Sequence, residues 1–219
     1  MDVIEAIRSR RSIRGFKKDP IPREAIQKIL ETAVRSPSGM NTQPWEFVVA
    51  TGTVLDQIRE ENARLFNEGA IPTNDMTPRP FEGAYRQRQV ELAKELFKLM
   101  GIAREDKEAR HKWMLRGFRF FEAPCEIVVC ADKTMDRHID MLGIGAVCQS
   151  ICLAALEFGL GTCIADQGIM YDQAWRKLAG ITDSKRLVAG ITVGYPDPEF
   201  PANRLVSPRE PVDSLITWL

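Results

Sequence analysis

The residues best suited to chemistry form two clusters near the start of the chain. The first, RRSIR, places Arg10, Arg11 and Arg14 around the hydroxyl of Ser12. Guanidinium groups bind phosphate oxygens through paired hydrogen bonds, which ammonium groups cannot do. Cations at the end of a helix also complement the helix dipole, and this structural explanation is the stronger one for RRSIR taken alone.

The second cluster is the segment 36–45, SPSGMNTQPW, called the polar loop below. Gly39 permits close approach of the backbone, Asn41 and Gln43 offer amide donors and acceptors, and prolines stiffen both ends. A turn between a helix and a strand would explain the prolines and the glycine but not the two carboxamides. Together, the cations and the polar loop suit a phosphorylated, planar cofactor with hydrogen-bonding edges, which suggests flavin mononucleotide (FMN).

Other catalytic arrangements have little support in the sequence. The two histidines, His111 and His138, lie outside zinc-binding and Ser–His–Asp contexts. Gly143 and Gly145 lack the third glycine of a dinucleotide-binding fingerprint. The five cysteines lie in apolar runs without CxxC spacing, which favours buried thiols in a reducing compartment. We therefore expect no metal site.

Composition and charge narrow the class of protein. Thirty Lys and Arg residues balance thirty Asp and Glu residues, so no global positive field attracts nucleic acid or an anionic membrane. The start of the chain lacks the apolar core of a signal peptide, and the longest apolar run, 141–156, falls short of a bilayer span. We expect a cytoplasmic protein of one domain, residues 1–219, with neither nucleic acid nor membrane as a partner.

Hydrophobic periodicity predicts the elements that position the two clusters. A capped helix at the start of the chain runs into RRSIR, and a second helix, from about Pro22 to Ser36, leads directly into the polar loop. The helix over 141–158 is apolar nearly all round, so we expect it at the centre of the molecule. Further strands are predicted at 45–51, 125–131, 160–165 and 187–193, and further helices at 53–65, 90–100, 113–118 and 172–178.

Two segments do not fit a compact core. Residues 67–81 contain several prolines among few apolar residues, and we expect them to form a mobile flap. They begin a helical insert or lid over 67–122. Five prolines after Gly194 predict an extended C-terminal arm, 195–219, which stays ordered only if something, such as a partner subunit, holds it.

With these features in this order, the chain resembles the FMN-dependent nitroreductase superfamily over essentially its whole length. The matches are RRSIR, the polar loop, the small-residue helix followed by GLGTCIADQG at 159–168, and SPREP at 207–211. The ordered set is specific, whereas each motif alone is not. The resemblance implies an α+β fold with a central, mainly antiparallel sheet flanked by helices. It also implies a domain-swapped homodimer in which both subunits build each FMN site and the C-terminal arm embraces the partner.

The resemblance implies roles for individual residues. RRSIR is expected to contact the FMN phosphate, ribityl chain and pyrimidine edge, and SPREP to supply a second phosphate clamp, with Ser207 where other members carry a lysine. The polar loop is expected to lie against the flavin of the other subunit, and a backbone N–H near Asp166 to approach flavin N5. The cofactor-binding residues are then Arg10, Arg11, Ser12, Arg14, Pro37, Ser38, Gly39, Asn41, Ala165, Asp166, Gln167, Gly168, Ser207 and Arg209.

The implied activity is that of an FMN-dependent NAD(P)H oxidoreductase. Tightly bound FMN takes hydride from NADH or NADPH at N5 and then, after the nicotinamide leaves, reduces a nitroaromatic, quinone or similar planar acceptor in the same cleft. No catalytic side chain is then required. Reductive dehalogenation of a halogenated phenol, or a flavin-binding sensor protein without turnover, remain the alternatives.

The acceptor pocket is expected in the helical insert. Its two arginines could favour an acidic aromatic acceptor such as a nitrobenzoate, and helix packing is the alternative role for each aromatic residue. The candidates are Tyr85, Arg86, Arg88, Trp113 and Phe118.

Overall fold

The computed structural model describes residues 2–75 and 80–219, which form α-helices around a four-stranded antiparallel sheet. The strands, in the spatial order β1-β2-β4-β3, are β1 (Glu46–Thr51), β2 (Cys125–Asp132), β3 (Gly161–Ile164) and β4 (Lys185–Gly194). The helices are α1 (Val3–Ser9), α2 (Arg23–Ala33), α3 (Gly52–Asn67), α4 (Gly83–Leu99), α5 (Lys107–Phe118), α6 (His138–Glu157) and α7 (Asp172–Ala179). The predicted α+β fold with an antiparallel sheet is confirmed.

Local sequence signals set most of the element boundaries. Asp2 caps α1 by accepting a hydrogen bond from the Glu5 amide at 2.8 Å. The helix ends at Ser9, so RRSIR begins in the extended backbone that follows. Helix α3 begins earlier than predicted, at Gly52, and Thr53 therefore lies inside the helix rather than at its cap.

The two edges of the sheet differ. At the β3 edge, RRSIR adds a parallel bridge in which Ser12 pairs with Thr162, and the Ile13 amide donates to the Thr162 carbonyl at 2.9 Å. The outer edge of β1 pairs with no strand in the described ranges. A single chain thus covers one edge of its sheet with RRSIR and leaves the other open.

Helix α6 packs over one face of the sheet and is unevenly covered. It contributes Ile144, Val147 and Ile151 to the largest core cluster, together with residues of α2, β2 and β4. Yet Leu142 is 68% exposed, and 44% of the apolar window of the helix is buried. Of the helices in the described ranges, α6 alone is long and apolar enough to cross a membrane, a test that core helices also pass. Within one chain, more than half of this apolar helix is therefore less than fully buried, although Leu142 is its one large apolar side chain that is mostly exposed.

The opposite face of the sheet is covered by α3 and α7. Trp175 and Phe120 are buried there, with their ring centroids 5.8 Å apart. Beside them, Phe118 stacks between Phe66 and Tyr171 at centroid distances of 4.4 and 5.4 Å. These aromatic contacts join α3, α5 and the start of α7 in one layer.

The segment that follows α3 is anchored in its described part. Asn74 is buried, and its amide nitrogen donates to the carbonyls of Ile169 at 3.0 Å and Leu187 at 3.1 Å. Where a mobile flap was expected over 67–81, the part of that segment before the gap is therefore pinned to β4 by a buried carboxamide. Residues 76–79 of the expected flap lie outside the described residues.

Candidate functional site

RRSIR and GLGTCIADQG lie side by side at the β3 edge. The parallel bridge sets Ser12 level with Thr162, so Arg10 lies toward the start of β3 and Arg14 toward its end. Alternate residues of an extended segment point to the same side, which here is opposite to the buried Ile13. Arg10, Ser12 and Arg14 consequently form a half-buried row along β3, called the arginine–serine row below.

Asn203, in the C-terminal arm, fixes the end of the arginine–serine row. Its side-chain oxygen accepts hydrogen bonds from the amides of Arg14 at 2.7 Å and Gly15 at 3.1 Å, and its nitrogen donates to the Gly15 carbonyl at 2.8 Å. The residue is 5% exposed, so these bonds are shielded from water. Nothing in the sequence marks Asn203 as part of the site, because its partner lies 189 residues away.

The arginines predicted to bind the cofactor have no acidic partner among the described residues. None of the four forms an ion pair with a carboxylate of the described residues, whereas Arg59, Arg119 and Arg176 all do. The four are Arg10, Arg11, Arg14 and Arg209. Guanidinium groups without a carboxylate remain available to an external anion.

Two buried thiols lie beneath the arginine–serine row. Burial raises the pKa of the Cys163 thiol, and the charge of Arg14 opposes that rise. Burial likewise raises the pKa of Cys152, against a hydrogen bond from Thr162 and the charge of Arg10. All five cysteines are free and buried, which confirms the prediction of buried thiols. Within residues 2–75 and 80–219, no group of three or more His, Cys, Asp or Glu residues could hold a metal ion.

The turn at 165–168, called the N5 turn below, follows β3 directly and is held at both ends. The Ala165 amide donates to the Gly190 carbonyl at 2.8 Å. The Gly168 carbonyl accepts hydrogen bonds from the Asn62 amide at 2.9 Å and the Trp175 indole at 2.8 Å, both from fully buried residues. Fixed backbone groups of this kind are what electrostatic preorganisation requires.

The two middle residues of the N5 turn face different surroundings. Asp166 is exposed. Gln167 turns toward α5, where a side chain at Gly117 would meet the Gln167 Oε1 atom at 1.9 Å. The glycine on α5 therefore makes room for Gln167, and that side chain braces the turn against the helical insert.

Gly168→Ala is expected to destabilise the protein by about 1–3 kcal/mol. A Cβ at this position would lie 2.2 Å from the Phe120 ring, which is 1% exposed and cannot move aside. Urea unfolding of the holo-protein measures the loss. Phe120→Leu in the same chain removes the ring edge that the new Cβ would meet. The double variant should therefore lose less stability than the two single variants lose in sum. Strictly additive losses would argue against the clash.

The polar loop has an unusual backbone. Met40, Asn41 and Gln43 adopt left-handed φ angles of 50°, 58° and 47°, which are uncommon for residues other than glycine. The Ser38 hydroxyl accepts a hydrogen bond from the Gln43 amide at 2.9 Å and holds this conformation. Such conformations cluster at functional sites, where the surrounding structure maintains them.

The polar loop packs on the first half of α6. A Cβ at Gly39 would lie 2.6 Å from the Ile139 side chain, and a Cβ at Gly143 would lie 3.3 Å from that of Ser38. RRSIR lies further along α6, near Cys152. Along the helix axis, Cys152 is about 14 Å from Gly143, at 1.5 Å per residue. Among the described residues, no hydrogen bond or ion pair joins the polar loop to RRSIR. One chain therefore holds two parts of the predicted site apart.

Two predicted pocket residues lie beside the C-terminal arm. Tyr85 is 69% exposed on α4, and the Arg88 guanidinium lies 5.6 Å from the centroid of its ring. Arg88 also forms an ion pair with Glu210 at 2.8 Å. It lines a groove of about 610 Å³ between α4 and the arm, and Arg209 lines the same groove. Of the predicted pocket residues, Arg88 thus shares this groove with Arg209 of the predicted phosphate clamp.

The other three predicted pocket residues lie elsewhere. Arg86 lines a separate groove between α4 and α5. Trp113 and Phe118 are buried on α5, in two different apolar clusters. For these two rings, burial favours the alternative of helix packing, and a role in the acceptor pocket stays a prediction.

Comparison with known proteins gives consistent matches over the chain. Residues 7–195 match the model of the nitroreductase family. The chain is 32% identical over 221 residues to nitrobenzene nitroreductase of Ectopseudomonas oleovorans, covering 98% of this chain and 96% of that protein. It is 30% identical to 4-nitrobenzoate reductase of Nocardioides sp. strain LMS-CY, covering 97% and 88% of the two chains.

Solved structures match equally well. The FMN- and NADPH-dependent nitroreductase NfnB from Sphigopyxis sp. strain HMH superposes with a TM-score of 0.94 at 31% identity, covering 100% of this chain and 99% of that one. The FMN-dependent nitroreductase NfnB from Mycobacterium smegmatis, in complex with NADPH, gives a TM-score of 0.93 at 26% identity, covering 99% and 97%. The whole described chain therefore has the fold of these proteins.

Proposed function

The chain belongs to the nitroreductase family, and from this premise we propose that it is an FMN-dependent NAD(P)H oxidoreductase that reduces nitroaromatic compounds. Quinones and similar planar conjugated molecules are further acceptors of the same kind. FMN, when bound, supplies the hydride chemistry. The residues of the chain bind the cofactor, fix its orientation and shape the cleft for the acceptor.

The observation that carries this proposal is the order of groups along β3. Arg10 lies near the start of the strand and Arg14 near its end, about 13 Å apart at 3.3 Å per residue. FMN is itself elongated, with a phosphate at one end and a planar ring at the other. We infer that Arg10 binds the phosphate, Ser12 the ribityl chain and Arg14 the pyrimidine edge, which sets the ring over the N5 turn.

The charges of the site fit an anionic cofactor. The arginines of RRSIR and Arg209 have no carboxylate partner within the described ranges, and a phosphate would satisfy them through charge-assisted hydrogen bonds. Arg209 now donates to the carbonyl and hydroxyl oxygens of Ser207, at 3.0 and 2.8 Å. We infer that Arg209 turns from these local contacts to the phosphate when FMN binds.

A homodimer completes the site in this proposal. The polar loop lies apart from RRSIR within one chain, and its Met40 side chain is 98% exposed. Leu142, on the part of α6 that packs against the polar loop, is 68% exposed. Exposed apolar side chains that lie together are typical of an interface. We infer that the polar loop of one protomer lies on the flavin held by RRSIR of its partner.

The end of the C-terminal arm, residues 212–219, would cross to the partner. The open edge of β1 borders a groove of about 730 Å³ between β1 and α2. The end of the arm carries apolar side chains that a single chain leaves exposed, and the groove offers apolar walls to cover them. The exposed side chains are Val212, Leu215, Ile216, Trp218 and Leu219, and the apolar walls are Ile21, Ile26, Leu30, Phe47 and Val49.

Removing residues 212–219 is expected to shift the protein from dimer to monomer and to lower its FMN content, because the interface loses its apolar arm. Light scattering coupled to gel filtration, with the flavin absorbance recorded on the same peak, measures both effects. Ile71→Ser is the matched control, since it removes an exposed apolar side chain from the segment that follows α3. A truncated protein that remains a flavin-loaded dimer would contradict the proposed role of the arm.

For the acceptor, we propose the side of α4 that carries Tyr85 and Arg88. Tyr85 offers an exposed ring for stacking, and Arg88 a cation close to it. A carboxylated nitroaromatic could compete with Glu210 for Arg88, as a nitrobenzoate would. This fits the chemistry named for the two relatives, a nitrobenzene and a nitrobenzoate reductase.

Turnover assays test the proposed function. We expect FMN-loaded protein to oxidise NADPH or NADH only when nitrobenzene or 4-nitrobenzoate is added. Double-reciprocal plots of the rate at different concentrations of the second substrate should be parallel, as in a ping-pong mechanism. Halide release from a halotyrosine without nitro reduction would favour the dehalogenase alternative. A flavin that neither nucleotide reduces would identify a binding or sensor protein. A cytoplasmic location, without nucleic acid or membrane as partners, remains a prediction from composition.

A further inference from the structure

A carboxylic acid without a hydrogen-bond partner is buried in the middle of the sheet. Glu126 lies on β2, opposite Ala50 of β1 and Thr192 of β4, and is 0% exposed. Neither of its carboxyl oxygens has a hydrogen-bond partner among the described residues. Buried polar groups in native cores are nearly always hydrogen-bonded, so this exception calls for a physical explanation.

The groups that face Glu126 cannot compensate an ionised carboxylate. Arg59, from α3, is the cation that acts on it, but the Arg59 guanidinium is already bonded to Asp56 and to two backbone carbonyls. The other titratable neighbours are the thiols of Cys125 on β2 and Cys163 on β3, whose pKa values burial raises and Glu126 raises further. Burial holds the pKa of Glu126 well above its ordinary value of 4.5.

Glu126 lies against the same glycine as the N5 turn. A Cβ at Gly190 would lie 2.6 Å from Glu126 Oε1 and 2.8 Å from the carbonyl oxygen of Ala165. The Ala165 amide is bonded to Gly190, but its carbonyl receives no hydrogen bond from the described part of the chain. An acid and an acceptor, both without partners, thus share the space that the missing Cβ leaves free.

We propose that Glu126 is a positioning residue: as a neutral acid it donates its O–H to the Ala165 carbonyl, directly or through one buried water, and so fixes the N5 turn from below. An ionised carboxylate could only accept hydrogen bonds and would repel the same carbonyl oxygen. The catalytic part of this inference rests on the proposed function, in which the backbone of the N5 turn faces the flavin.

Two variants of similar size separate hydrogen bonding from packing. Glu126→Gln keeps a neutral donor, whereas Glu126→Met fills the space with an apolar chain. Both should retain FMN, because the arginine–serine row is unchanged. In anaerobic stopped flow, we expect NADPH to bleach the Glu126→Gln flavin close to the wild-type rate and the Glu126→Met flavin about 10- to 100-fold more slowly, as a displaced donor would cause. Equal rates in Glu126→Met and wild type would overturn the positioning role.

Infrared spectroscopy tests the protonation state independently of turnover and of the folding of Glu126→Met. We expect a carbonyl band of a protonated carboxylic acid in the wild-type protein at neutral pH, sensitive to deuterium exchange and missing from Glu126→Gln. A wild-type protein without this band would refute the neutral acid. If NADPH does not reduce the wild-type flavin, the proposed function fails, but the infrared comparison still decides the state of Glu126.

Discussion

Replacing Arg10 and Arg209 with alanine in one chain is expected to weaken FMN binding by about 100- to 10,000-fold. Hydrogen bonds to charged groups contribute about 1.5–3 kcal/mol each, so losing one at each arginine costs about 3–6 kcal/mol, and each 1.4 kcal/mol is tenfold in affinity. Neither arginine has a carboxylate partner among the described residues, so the substitution leaves no buried acid unpaired. Quenching of FMN fluorescence by the apo-protein measures the dissociation constant.

Arg8→Ala is the matched control for this experiment. Arg8 lies in the last turn of α1, two residues before Arg10, and is exposed outside the arginine–serine row. The control should keep the wild-type affinity and the wild-type gain in stability on adding FMN. That gain is about 2.7 kcal/mol at 100 times the dissociation constant, so it should shrink in the double variant. Equal FMN affinity in the double variant and the control would refute the phosphate assignment.

Glu126→Gln is expected to become increasingly more stable than wild type as the pH rises. The pKa of Glu126 is raised on folding, so its contribution to stability is full below its unfolded pKa, near 4.5, and is lost as the pH rises toward the folded pKa. Between these two pKa values, the free energy of unfolding of the wild type falls by about 1.4 kcal/mol for each pH unit, relative to that of a protein with a side chain that does not titrate at this position. A glutamine side chain does not titrate, so the free energy of unfolding of Glu126→Gln does not fall in this way.

Urea unfolding between about pH 5 and pH 8 measures this difference. Both proteins are compared at one protein concentration and with saturating FMN, because the proposed dimerisation and bound cofactor would both add to stability. Glu24→Gln on the exposed side of α2 serves as the control and should follow the wild-type curve. Parallel curves for Glu126→Gln and wild type would show that Glu126 has the same pKa in both states.

The elements of the fold could be predicted because their signals are local. The spacing of apolar residues, the Asp2 cap and the stop at Gly101 depend only on neighbours along the chain. The pairing of Ser12 with Thr162 is different, since it joins residues that are 150 positions apart. Periodicity does not contain this contact, and only the resemblance to a family placed the two motifs in one site.

The supporting residues could not be predicted from the sequence. Asn203 and Asn74 look like ordinary polar residues of loops, and their function depends on which backbone groups the fold leaves unpaired. Glu126 interrupts an apolar strand, CEIVVCA, and this is the one signal that could have drawn attention to it. Trp113 and Phe118 have the composition of a pocket wall, but the packing of α5 turns both rings inward.

Anaerobic addition of NADPH to the purified FMN protein, followed by one equivalent of a nitroaromatic, tests the central claim most directly. We expect the flavin absorbance to bleach on the first addition and to return on the second, with no NADPH left bound. Protein that binds FMN but stays yellow with both NADPH and NADH, or that bleaches and is not reoxidised by nitrobenzene or 4-nitrobenzoate, would contradict the proposed nitroreductase activity.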